Sequence, residues 1–140
     1  RYMLLRFHAG VNQMKEQTEV GKLKEGRYMV IDDEPCKILG ISVSKPGKHG
    51  AAKARIDAVG LFDGVKRSIV QPVSAKTYVP VVERKSGQVI TISGNIVTLM
   101  DMKEYHNFEI EVPAEKLGQI EMGKEIQYME ALGKRKLDLD

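Results

Sequence analysis

The apolar residues of this chain come in short runs broken by Gly, Pro and Asp, and nowhere form a long stripe at helical period. A chain patterned in this way cannot build a helix bundle; it folds as short strands joined by turns. Strands are expected at Arg27–Ile31, Pro35–Val43, Lys53–Phe62 and Val65–Val70, with an extended piece at Lys76–Val82. Further on they are expected at Gln88–Ser93, Ile96–Met102, Tyr105–Val112 and Lys134–Leu139. Lys53–Phe62 carries the sharpest signal: Ala54, Ile56 and Ala58 alternate with Arg55 and Asp57, the period-two mark of a strand with two unlike faces. Asp32-Asp33-Glu34, Asp63-Gly64 and Gly94-Asn95 supply turn chemistry. Pro80 confines its segment to an edge or terminal strand. Pro113–Leu117 reads as a short helical turn, and Glu125–Leu132 fits helix and strand equally. The expected class is all-β, with regular turn spacing that favours small barrels.

Charge divides the chain. Up to Val82 there are 14 basic and 8 acidic residues, a net of +6; from Glu83 onward 8 basic and 11 acidic, a net of −3. The expected organisation is therefore a disordered or extension segment at 1–15, a first module at 16–82 facing a polyanion, and a second module at 83–140. With five Tyr, three Phe and no Trp, the cores must be mostly Val, Ile, Leu and Met. One cysteine excludes a disulfide framework and any multi-cysteine zinc site, and Cys36 itself is expected in the core as a small hydrophobe. Scattered His8, His49 and His106 argue against a metal enzyme, so no metal is expected. No run approaches the ~20 apolar residues of a membrane helix, so no membrane partner is expected and a cytoplasmic setting is the default.

One loop stands out, Ser44-Lys45-Pro46-Gly47-Lys48-His49-Gly50-Ala51-Ala52-Lys53. Pro46-Gly47 suits the centre of a type II turn, which predicts Lys48 at or beside a hairpin tip. Gly50 and the two alanines add almost no bulk behind it. Lys45, Lys48, Lys53 and Arg55, with His49 as a fifth candidate, fall within eleven residues, and no acid stands between Glu34 and Asp57. Such a loop approaches phosphates at low cost, because counterion release favours the contact. A merely solvated basic loop fits the charge pattern as well. A Walker phosphate loop fails on spacing, with Ser42 where its first glycine belongs and His49 where Ser or Thr belongs. A nucleophilic or general-base lysine fails on environment, because a hairpin tip in water offers no desolvation to lower its pKa.

These residues resemble the modification loop of archaeal and eukaryotic translation initiation factor 5A. The similarity extends to Val20–Gly26, Ile31-Asp32, Glu34-Pro35-Cys36, Val79-Pro80-Val81, Met100-Asp101, Tyr105 and Phe108-Glu109, roughly Thr18 to Leu137. The resemblance implies an SH3-like barrel followed by an OB-fold barrel. It implies that Lys48 is the lysine onto which deoxyhypusine synthase moves an aminobutyl group from spermidine, giving deoxyhypusine or hypusine, with no other cofactor. It implies a ribosome-binding factor, not an enzyme, that acts beside peptidyl-tRNA to promote peptide-bond formation. On that reading Lys45, Lys48, His49, Lys53 and Arg55 face rRNA or tRNA, while Pro46, Gly47 and Gly50 shape the loop. Two other readings stay open from the residues alone: an unmodified RNA-binding module of the ribosomal-protein type, and a small enzyme using Lys48.

Overall fold

The structure, a computed structural model, describes residues 14–45 and 50–139. The chain divides into two compact units between Val81 and Val82, one residue ahead of the division expected from charge. No helix among the described residues is long and apolar enough to cross a membrane.

The first unit contains β1 (Lys15–Glu19), β2 (Tyr28–Ile31), β3 (Glu34–Ser44), β4 (Lys53–Gly60), β5 (Lys66–Pro72) and β6 (Lys76–Pro80), with a single 3-10 turn at Val20–Lys22. A four-stranded antiparallel sheet runs β2-β3-β4-β5, and β1 pairs with β6 in a separate ribbon. Asp32 and Asp33 sit at φ 51° and 63° between the paired residues Ile31 and Glu34. This is the positive-φ pair that a two-residue I′ hairpin requires. The core collects Val20, Met29, Ile31, Ile38, Ala54, Ile56 and Ala58 around Cys36, which is fully buried as expected. Burial pushes the Cys36 thiol up, against the lowering effect of nearby Arg67.

Two features here were not expected. Residues 15–19 form a strand, so the segment expected to be an extension ends inside the first structural element. KEQTE has no apolar alternation to announce it; its place is set by backbone pairing from Lys15↔Pro80 to Glu19↔Lys76. Lys15 Nζ also lies 4.6 Å from the Tyr78 ring centre. The second feature is a bulge in β3. Ile38 pairs with Ala58 and Gly40 with Asp57, leaving Leu39 as an extra, half-exposed residue. The inserted residue lets Ile38 and Ile41, three apart, both face the core.

The second unit contains β7 (Glu83–Ser93), β8 (Ile96–Asp101), β9 (Asn107–Glu111), β10 (Glu125–Ala131) and β11 (Lys134–Leu137), with a 3-10 segment at Ala114–Gln119. Its sheet order is β11-β10-β7-β8-β9, the arrangement of a five-stranded OB barrel. Glu125–Leu132, ambiguous in sequence, is a strand because it lies between β7 and β11 and pairs with both. Val89, Val97, Leu99, Ile110, Val112 and Ile120 form its core. Among the described residues, Asp101 is the buried charged residue, and it lies beside this core. Its Oδ1 accepts from the Tyr128 hydroxyl at 2.7 Å, and its Oδ2 accepts from the backbone N–H groups of Lys103 and Glu104. Burial alone would raise the Asp101 pKa; these hydrogen bonds and Lys85 outweigh it and hold the carboxyl below its ordinary value.

Candidate nucleic-acid interface and modification loop

The β3–β4 hairpin is paired without a break from Gly40↔Asp57 to Ser44↔Lys53, and the loop of residues 45–52 joins its two strands. Pro46, Gly47, Lys48 and His49 lie outside the described residues. Of the other expected site residues, Lys45 is exposed, Gly50 is half-buried, and Lys53 and Arg55 are exposed on β4. Strand alternation places Lys53, Arg55 and Asp57 on the outer face while Ala54, Ile56 and Ala58 face the core. The core alanines and isoleucine thus fix which way the two cations point. A one-residue slip would bury them, so their exposure is as strongly specified as the core itself.

Arg55 is not free on this face. Its Nε lies 3.7 Å from Asp57 Oδ1, and Asp57 in turn accepts a hydrogen bond from Ser68 Oγ at 2.5 Å. Both partners of the ion pair are more than half exposed, so the attraction is screened and weak. Register adds two cations that distance along the chain had hidden. Lys37 on β3 and Lys66 on β5 both pair with Val59, on the face that carries Arg55, and both are exposed. Ser42 and Val70 flank Arg55 on the same rung. Charge counting within the loop could not find Lys37 and Lys66; the signal lies in the pairing of three strands. The outer face therefore offers Lys37, Lys53, Arg55 and Lys66, with Asp57 as the acid on the intervening rung, beneath the loop that carries Lys45.

The second unit has a different character. Three of its cations are engaged in ion pairs: Arg84 with Asp138 at 2.6 Å, Lys85 with Glu130 at 2.6 Å and Arg135 with Glu130 at 3.1 Å. Glu109 and Glu111 are exposed on β9, opposite Thr98 and Ile96. The β7–β8 and β10–β11 connections are two-residue turns, Gly94-Asn95 and Leu132-Gly133, too short to wrap a strand of nucleic acid. Asp101, Glu104 and His106 bring three potential ligand atoms within 4.8 Å of one another. Both Asp101 oxygens are already taken by hydrogen bonds, so this cluster reads as a capped loop.

A family model described as translation initiation factor 5A-like, N-terminal, matches residues 15–75, and one described as eukaryotic elongation factor 5A hypusine, DNA-binding OB fold, matches residues 81–137. The chain belongs to the translation initiation factor 5A family. Translation initiation factor 5A of Methanoregula boonei is 75% identical over 125 residues, covering 89% of this chain and 100% of that protein. The Methanosphaerula palustris protein is 71% identical over the same shares. A solved factor from Methanococcus jannaschii superposes with a TM-score of 0.78 at 46% identity, over 88% of this chain and 92% of the other. A family protein from Naegleria fowleri gives 0.74 at 35% identity, over 89% and 96%. The translation initiation factor 5A architecture, an SH3-like barrel followed by an OB-fold barrel, is the one expected from the sequence.

Proposed function

We propose that this chain is a translation factor that binds the ribosome beside peptidyl-tRNA and uses an aminobutyl-extended Lys48 to promote peptide-bond formation. On this reading it acts in the cytoplasm, on elongation and termination, and most of all where proline-rich sequences stall. The observation that carries the reading is the outer face of β4, where Lys53 and Arg55 stand exposed at the base of the loop that contains Lys48. Lys45, Lys53 and Arg55 grip phosphates of rRNA or tRNA, and Lys37 and Lys66 extend the same positive face. Release of condensed counterions drives that contact. The second unit, with its engaged cations and acidic β9, acts as a shape-matching element and makes little phosphate contact.

The partner that prepares Lys48 is deoxyhypusine synthase. The transfer breaks the bond between the secondary nitrogen of spermidine and its four-carbon arm, and forms one between that arm and Lys48 Nζ. Diaminopropane leaves, and the exchange is redox-neutral overall. The product keeps the original nitrogen as a secondary amine and gains a terminal primary amine. One point charge becomes two cations on a thin arm, which enters an RNA-lined channel that a protein loop cannot. The factor supplies position and charge while the ribosome performs the chemistry, so it is not itself an enzyme and needs no bound cofactor. Pro46, Gly47 and Gly50 shape the tip, and His49 faces RNA.

The test is a peptide-bond assay on stalled ribosomes with the modified chain and a Lys48→Arg variant. The variant should keep the circular dichroism spectrum of the wild type and lose stimulation. Undiminished stimulation by the variant would favour the unmodified RNA-binding module instead.

A further inference from the structure

The β2–β3 ladder ends at a definite place. Ile38 N–H donates to the Arg27 carbonyl at 2.8 Å, and Gly26 N–H donates to the Ile38 carbonyl at 2.9 Å. Beyond Gly26 the backbone turns, and among the described residues β3 takes no further backbone hydrogen bond on that edge. In an unbroken strand the N–H of Ile41, an odd step from Ile38, would face β4. The extra residue at Leu39 reverses that parity, so Ile41 turns its N–H to the edge that β2 has vacated. There it donates to Glu25 Oε1 at 3.1 Å, across 16 residues of sequence. A side-chain carboxylate thus supplies the next rung of the ladder where the backbone has run out.

We propose that Glu25 is a positioning residue for the hairpin arm of residues 41–57: its carboxylate tethers Ile41 just past the bulge and fixes the base from which the loop of residues 45–52 is presented. Beyond the bulge β3 is held by β4 on one side and by Glu25 on the other. A bulge is a natural pivot, because the ladder is interrupted there. A charge-assisted bond on the open side opposes that pivoting, and by occupying the free N–H it also blocks edge pairing with another strand. The functional consequence rests on the reading of Lys48 given above: an arm with a fixed base holds Ser44 and Lys53, its last paired residues, in place for the approach of the modifying enzyme.

The test compares Glu25→Ala, which removes the acceptor, with Glu25→Gln, which keeps an amide oxygen in its place. Residue-resolved amide exchange on the full chain reads the tether, and the rate of aminobutyl transfer by the spermidine-dependent synthase reads its consequence. In Glu25→Ala, exchange at Ile41 should rise at least about tenfold, the factor a hydrogen bond to a charged group carries, while Ile38 exchange stays unchanged. Aminobutyl transfer should slow severalfold, and Glu25→Gln, whose amide oxygen accepts without the charge, should restore part of both. Unchanged exchange at Ile41 in Glu25→Ala overturns the tether. Faster exchange with unchanged transfer overturns the positioning role and leaves the Lys48 reading standing. A wild-type chain that accepts no aminobutyl group overturns the Lys48 reading, and the role given to Glu25 falls with it.

Discussion

Asp57 stands 3.7 Å from Arg55 on the outer face of β4 and is itself held by Ser68, so the arginine beside the basic loop works against a fixed negative neighbour. On the proposed reading, the pair sets how strongly this face grips phosphate. Arg55→Ala should weaken binding to single-stranded RNA and reduce the slope of log affinity against log salt by about 0.7, the share of one phosphate contact. Asp57→Asn should act in the opposite direction, raising affinity a fewfold at low salt and little at high salt, because exposed pairs are screened. Filter binding or anisotropy across a salt series reads both effects. Equal slopes in all three proteins would remove Arg55 from the interface.

The buried pair in the second unit carries a stability prediction. Tyr128→Phe leaves Asp101 Oδ1 without its hydroxyl donor inside the barrel. Stranding one side of a charge-assisted hydrogen bond costs about 1–3 kcal/mol, visible as a lower urea midpoint. The pH dependence has a definite sign. The folded Asp101 pKa lies below the unfolded value of ~3.9, so its contribution is full above that value and is lost as pH falls through the lower folded pKa. Tyr128 is shifted upward, first by burial and then by Asp101, so the phenol stays protonated and keeps donating through neutral pH. Tyr128→Phe should therefore flatten the acid limb of the stability profile below about pH 4. An acid limb as steep as that of the wild type would show that the pair is not what responds to acid.

Gly60 leaves room for a side-chain lid. A Cβ at this position would come within 1.9 Å of Asp63 Oδ1 and 2.9 Å of Arg67 Nη1. Those two side chains form a two-pronged pair, with Arg67 Nη1 lying 4.0 Å from Cys36 Sγ. Gly60→Ala should displace the pair and let a thiol reagent label Cys36 severalfold faster, without global unfolding. In the wild type, burial and a raised thiol pKa keep labelling slow. Labelling rates that match between the two proteins would mean the pair does not cover the sulfur.

How legible these features were in the sequence depends on how local their cause is. The alternation of Ala54, Ile56 and Ala58 is a property of neighbouring residues, and it announced both β4 and the outward direction of Lys53 and Arg55. The turns at Asp32-Asp33 and Gly94-Asn95 were legible for the same reason. β1 was not, because KEQTE owes its conformation to pairing with β6 about sixty residues away. The bulge at Leu39 was hidden because PCKILGISV reads as one apolar run whether or not a residue is extruded. Lys37 and Lys66 join the basic face only through the register of three strands. The Asp101–Tyr128 bond spans 27 residues and leaves no mark on composition. Lys48 was singled out by turn chemistry and by resemblance to a family.

The most direct experiment is mass spectrometry of the peptide spanning Lys45–Lys53, taken from the full chain after incubation with deoxyhypusine synthase and spermidine. A single aminobutyl increment located on Lys48, absent from Lys48→Arg, is the predicted result. A peptide of unchanged mass, or an increment carried by Lys45 or Lys53, would contradict the account.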